Sequence, residues 1–371
     1  MITLQRILFL CLLSLSSSAQ NYHYYFGNIH SHSSYSDGNK DKASSHAATP
    51  ADDYRFAKRS QHLDFLGISE HNHSQAGMQR ANFSRGLADA DAQNEDGRFV
   101  AMYGMEFGVI SNGGHVVIYG MDKLIGWEQN NYDIFSAKSD YKSLFRILAD
   151  HSGAFATLAH PAQTDYNHLI TTDYDPVADR AVCGVAVSSG PAFSVKTDYS
   201  DRPPMSYLSY YKRLLSLGYM VGPTMDHDNH NTTFGRISHN RTVVLARSLS
   251  RDSIMAAYRA GRFYASEDWD TEVDFKINGL TMGGYVSGQE VLKISLKVHD
   301  PDGDDRTKSI KLLYGKPGSG VIPKVMKTSK DSDVLEWQQS LQPGDAFYYY
   351  AEIVQADGDR IYTAPIWAKY N

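Results

Sequence analysis

From Tyr24 to about Gly222 the chain repeats one pattern: a short apolar run, a polar turn, then an amphipathic stretch. Five of the apolar runs end in histidines or carboxylates. "YYFGNIH" leads into "SHSSYSDG", "LDFLGIS" into "EHNH", and "FVAMYGMEFG" carries Glu106. "AFATLAH" ends on His160, and "YMVGPTMDHD" on Asp228 and then His230. Helical periodicity fills the intervals. "TPADDYRFAKRS" has Thr49 as N-cap and Pro50 in the first turn, and "DYKSLFRILADHSG" and "MSYLSYYKRLLSLG" both close on glycine. Strands alternating with helices predict a parallel sheet, and this many units predict a barrel. In such barrels the working residues stand at the C-terminal ends of the strands, where these polar clusters fall.

After about Arg247 the pattern changes. "SRDSIMAAYRAGRF" reads as one more helix. Short alternating segments then follow, separated by turns, from "EVDFKING" to "RIYTAPIWAKY". They predict a small antiparallel β-sandwich over residues 269–371, after an α/β barrel over 20–268. "DPDGDD" at 300–305 reads as a hairpin turn.

Residues 1–19 read as a signal peptide: one basic residue, the apolar run "ILFLCLLSL", and Ser17 and Ala19 placed for cleavage after Ala19. The chain is therefore expected to be exported, periplasmic or secreted. Lipoprotein anchoring at Cys11 is disfavoured by the bulky Phe9 and Leu10 before it. No later run is apolar enough to span a bilayer. Removing the signal leaves Cys183 as the one thiol, which excludes an internal disulfide. A net charge of -6 argues against a nucleic-acid substrate.

His30 and His32 stand two apart on an extended segment, so both rings project to one face. Such a pair alone is weak evidence of a metal site. Asp37, His71, Glu106, His115, His160, Asp228 and His230 supply partners. The nine residues offer imidazoles and carboxylates with no thiolate, which suits Zn, Mn or Fe. Nine donors exceed one ion's needs and predict two or three divalent ions.

"HSHSSYSDG", "LDFLGISEHN", "GMEFG", "GGHVVIYG", "LAHP" and "DNH" resemble, in order, the motifs of the PHP (polymerase and histidinol phosphatase) superfamily. The resemblance spans about residues 24–240. It implies a distorted (β/α)7 barrel with a trinuclear metal site. "AGRFYAS" and "YTAPIWAKY" are similar to the exported CehA/McbA-type branch of that superfamily. By position, His30, His32, Asp37, His71, His115, His160, Asp228 and His230 are implied as ligands, Glu106 as the bridging carboxylate, and Glu70 as a supporting group. Asp226 and His227 form a neighbouring pair that offers a second register for the last motif. Both are also candidates, with His160, for proton transfer to a leaving group. Arg236, Arg241 and Arg262 are candidates to grip an anionic substrate oxygen.

The expected activity is that of an exported metal-dependent phosphoesterase, attacking a small-molecule, lipid or glycan phosphoester with a metal-bridging hydroxide. The same apparatus serves a hydrolase of carboxylic or carbamic esters or amides. The third reading is a non-catalytic metal- and glycan-binding protein.

Overall fold

The computed structural model describes residues 21–110, 113–303 and 305–371. The signal peptide and Cys11 lie outside them. Strand β1 (His23–Asn28) sits in the interior of a 16-stranded mixed sheet. On one side it pairs parallel with β2 (Phe65–His71), which pairs parallel with β3 (Val100–Val109). Next comes β4 (Gly114–Tyr119), antiparallel to β3 and to β5 (Phe155–Ala159). The strands β6 (Val182–Ser189) and β7 (Gly222–Asp226) then continue in parallel. On its other side β1 pairs antiparallel with β8 (Arg241–Ala246), and β8 pairs antiparallel with β9 (Phe263–Ser266).

The C-terminal strands are β10 (Glu272–Ile277), β11 (Val291–His299), β12 (Thr307–Gly315), β13 (Lys324–Lys330), β14 (Val334–Ser340), β15 (Ala346–Gln355), β16 (Arg360–Thr363) and β17 (Ile366–Lys369). The large sheet runs on from β9 through β16, β15 and β12 to β13. A four-stranded sheet built on β10, β11 and β14 covers part of it. The alternating burial of β11 shows why: Leu292, Ile294, Leu296 and Val298 face inward and the residues between them face out.

The expected distorted (β/α)7 barrel is thus not the fold. Strand makes up 37% of the described residues and helix 19%, the reverse of a strand–helix repeat. The reason is local. Only four residues separate Val109 from Gly114, too few for the crossover that a parallel pair requires, and β4 pairs antiparallel. The free edge of β1 is taken by β8. Between β7 and the start of the chain there are side-chain and isolated links, with Asn28 Nδ2 donating to the Met225 carbonyl at 3.1 Å and a single bridge between Ser31 and Asn229. The C-terminal strands named above pair with one another antiparallel as expected, β17 also pairing parallel with Tyr285–Ser287; β12, β13, β15, β16 and β17 extend the first sheet, while β10, β11 and β14 belong to the four-stranded one. The pairing of β9 with β16 carries the ladder across the boundary expected at residue 268.

The predicted helices form at Pro50–Ala57, Tyr141–Ala149, Leu208–Leu217 and Arg251–Arg259. The Thr49 hydroxyl accepts from Asp52 N, and Gly218 ends its helix in the left-handed conformation. Among the described residues no helix is long and apolar enough to cross a membrane. Cys183 is half-buried against the Ala156 carbonyl, and burial pushes its thiol up to about 12, which suits a packing role.

Candidate metal centre

The strand ends deliver their polar side chains to one place. The extended segment after β1 runs beside residues 228–230: His32 N donates to the Asn229 carbonyl at 3.0 Å and Asp228 N to the His30 carbonyl at 2.8 Å. His71 ends β2 directly opposite Glu106 of β3. His115 on β4 pairs with Gly108 on one side and Ala159 on the other, which sets it beside His160. The loop bearing Asp37 closes on Gly38, whose N–H reaches the Ser33 carbonyl at 2.8 Å. A Cβ at Gly38 would lie 2.2 Å from the His32 carbonyl oxygen, so only glycine allows this approach. His160 (φ 30°) and Asp228 (φ 52°) both hold left-handed backbone, a strained choice for residues with a Cβ and one often found at functional sites.

Glu106 is the hub. Its carboxylate lies 2.9 Å from His115 Nδ1, 3.0 Å from His30 Nε2 and from His71 Nδ1, 3.1 Å from His160 Nε2, and 3.4 Å from His32 Nε2. Three overlapping groups have ligand atoms within 4.8 Å of one another. They are His32, Asp37, His71 and His230; His30, His32, Glu106 and Asp228; and His71, Glu106 and His115. His32, His71 and Glu106 each belong to two groups. His160 joins through Glu106 and through His115, 3.4 Å away. The structure therefore brings together all nine residues expected as ligands.

The donor set fits divalent ions on an observation independent of count. Six of its buried atoms have no hydrogen-bond partner: His30 Nε2, His32 Nδ1, Asp37 Oδ1, His71 Nδ1, Glu106 Oε2 and His160 Nδ1. Buried polar atoms are ordinarily satisfied. Lone pairs that converge without aligned hydrogen bonds suit shared cations, and nitrogen and oxygen donors without sulfur suit Zn, Mn or Fe.

Electrostatics show the strain of this packing. Burial opposes charge on His30, yet Glu106 and Asp228 outweigh it and hold its pKa well above the usual value. His32 goes the other way, to about 3, because burial and the neighbouring His230 and His71 all disfavour its protonated form. Burial raises Glu106, but His115, His30 and His71 hold it well below the carboxylate range.

Around the ligands stand supporting groups. Asp226 Oδ2 lies 3.2 Å from His30 Nδ1, and its other oxygen accepts from the Thr224 hydroxyl at 2.9 Å. Asp226 thus stands behind the His30 ring, while Asp228 and His230 fall within the groups of side chains that could hold an ion. Glu70 is buried beneath the Ser33 and Ser36 hydroxyls, and burial pushes it up to about 7 against their hydrogen bonds. His73 is buried and stacks on Trp127 with ring centroids 5.6 Å apart.

Four expected site residues are elsewhere. His227 turns its Nε2 to the Asn240 carbonyl at 2.9 Å, and burial, then Arg241, push it down to about 3. Arg241 is fully buried and donates to five backbone carbonyls, those of Gln61, His62, Gly235, Ser238 and Asn240. Arg236 donates to Ser60 Oγ and the Arg59 carbonyl and lies over the Phe56 ring. Arg262 lies over the Tyr22 ring at 4.9 Å. Arg241 and Arg236 are engaged by nearby backbone carbonyls, a hydroxyl and an aromatic face, and Arg262 by the Tyr22 ring.

Sequence reasoning missed Asn28, which accepts from His30 N at 2.9 Å, and the rim residues Lys40 and Phe193. Lys40 stands three residues after Asp37, the one signal that pointed to it. Asp270, Asp300 and Asp302 form a separate carboxylate group.

No family model matches the chain. An uncharacterized protein of Chlamydia trachomatis serovar D is 25% identical over 216 residues, a match that covers 50% of this chain and 32% of that protein. The chain thus matches about a third of that relative's length. Among solved structures, fibronectin(III)-like modules of Clostridium thermocellum CbhA cover 27% of this chain and 98% of their own, at 16% identity and a TM-score of 0.20. An engineered protein covers 86% of this chain and 80% of its own, at 12% identity and a TM-score of 0.21. Scores this low carry no argument about fold or activity.

Proposed function

We propose that this chain is an exported metal-dependent hydrolase of the PHP type, with phosphate esters as its first substrate class. The observation that carries the reading is one carboxylate, Glu106, in contact with five imidazoles at 2.9–3.4 Å. Burying a carboxylate and so many imidazoles together carries a desolvation cost that bound cations would offset. Two or three divalent ions held there would supply Lewis acidity and acidify a bound water.

The chain's own residues have distinct parts in this reading. Glu106, His30, His32, Asp37, His71, His115, His160, Asp228 and His230 hold the ions. Asp226 keeps the His30 ring in place through Nδ1. Glu70, with the Ser33 and Ser36 hydroxyls, braces the loop that carries Asp37.

The test is hydrolysis of a panel by protein reconstituted with Mn or Zn: an aryl phosphate monoester, a diester and an aryl carboxylic ester. Cleavage of a phosphate ester, abolished by chelator and restored by metal, is the expected result. Cleavage of the carboxylic ester alone would transfer the chain to the ester- and amide-cleaving alternative. Cleavage of none, by fully metal-loaded protein, would favour a binding role.

A further inference from the structure

The members of the cluster are unequally exposed. The side chains of His30, His32 and Glu106 are fully buried, whereas that of Asp37 is 32% exposed. Lys40 stands beside Asp37, with Nζ 3.4 Å from Asp37 Oδ2 and 5.6 Å from the centre of the Phe193 ring. The Phe193 ring in turn lies 4.9 Å from that of His230, and the residue is 65% exposed.

A lone exposed phenylalanine needs no explanation. This one is held in place by the metal motif. His230 N donates to the Ala192 carbonyl at 2.8 Å, and Asn231 Nδ2 donates to the carbonyls of Phe193 and Ser194 at 3.1 Å. Lys40 is tied to the same residue, its N–H donating to the His230 carbonyl at 3.0 Å. Both rim side chains are thus placed by backbone bonds to the segment that carries His230. The arginines expected to grip a substrate are engaged elsewhere, as described above. Lys40 faces Asp37, a carboxylate that would itself be taken up by an ion, which leaves the ammonium for an incoming anion.

We propose that Lys40 and Phe193 form the substrate-recognising rim of the metal centre, Lys40 binding an anionic ester oxygen and Phe193 carrying a flat, apolar leaving group. The inference rests on the hydrolase reading above and narrows its substrate to phosphate esters with an aryl-like leaving group. Lys40 and Phe193 act here on binding and selectivity, not on bond cleavage.

The experiment compares phenyl phosphate and methyl phosphate on Mn-loaded protein, with metal content measured for every variant. Lys40→Met should raise KM for both esters about ten-fold, the worth of a charge-assisted hydrogen bond, with a much smaller effect on kcat. Lys40→Arg should recover most of the loss. Phe193→Ala should reduce the preference for phenyl over methyl phosphate about five-fold, as lost ring contact predicts. An unaltered KM in Lys40→Met at full metal content would overturn the role of Lys40. An unaltered phenyl-to-methyl ratio in Phe193→Ala would overturn that of Phe193. If the wild type cleaves neither ester, the hydrolase reading fails, and calorimetry with phenylphosphonate then decides the rim by itself. A loss of about ten-fold in affinity in Lys40→Met supports it, and equal affinity overturns it.

Discussion

Asp226 faces the Nδ1 of His30 at 3.2 Å, while the Nε2 of the same ring lies 3.0 Å from Glu106. One imidazole is thus fixed from behind by a carboxylate and presented to the cluster from the front, the arrangement that sets tautomer and ring orientation in metal sites. Two carboxylates two residues apart, Asp226 and Asp228, therefore have separable roles. Asp228→Ala should lose metal as well as activity. Asp226→Asn should keep most of its metal and lose about 10–100-fold in activity. Metal analysis beside kinetics on the two variants checks this, and the reverse pattern would mean the roles are exchanged.

Arg241 is predicted to act on stability, not on substrate. It satisfies five carbonyls from the loop after β7 and from residues 61–62, all out of water. Arg241→Met should destabilise the fold by about 3 kcal/mol or more, because buried acceptors are left without donors. Thermal unfolding measures it. A stable Arg241→Met protein with an impaired KM would restore the substrate role.

Asp270 predicts a pH dependence. Burial, then its neighbours Asp268, Asp302 and Asp300, raise its carboxyl from 3.8 to about 8. The folded state then holds this proton more tightly than the unfolded chain. Its contribution to stability is complete below about pH 4, the unfolded value, and is lost as pH rises through 8. Asp270→Asn removes the titrating group, so the variant should gain on the wild type in melting temperature between pH 6 and 9. Parallel melting curves across that range would contradict it.

Truncation at residue 268 should give insoluble protein. It removes the partner of β9, since Tyr264, Ala265 and Ser266 pair with Thr363, Tyr362 and Ile361. It also uncovers Val243 and Tyr264, which pack with the C-terminal core. Solubility and melting of the truncated chain test this; a soluble, fully active fragment would contradict it.

The candidate site was more legible in the sequence than the fold. His30, His32, His71, Glu106, His115 and His160 could be read because each ends or lies within an apolar run and has little reason to be there. Strand direction is not written that way. Nothing in "FVAMYGMEFG" or "GHVVIYG" states that the two pair antiparallel; that follows from a connection too short for a crossover, and the alternation of runs concealed it. The arginines misled for a similar reason. A guanidinium near a motif in sequence suits an anion and a cage of carbonyls equally well, and only the positions of residues 59–62 relative to 235–241 decide. Lys40 and Phe193 were illegible because their relation passes through the backbone of His230.

The central claim is that this constellation holds metal. The most direct measurement is elemental analysis by mass spectrometry on protein purified without chelator, beside a Glu106→Gln variant prepared identically. The account predicts more than one equivalent of Zn, Mn or Fe in the wild type and a marked loss in the variant, whose amide faces five imidazole rings. Wild-type protein with no transition metal, and none taken up on exposure to Zn or Mn, would contradict it.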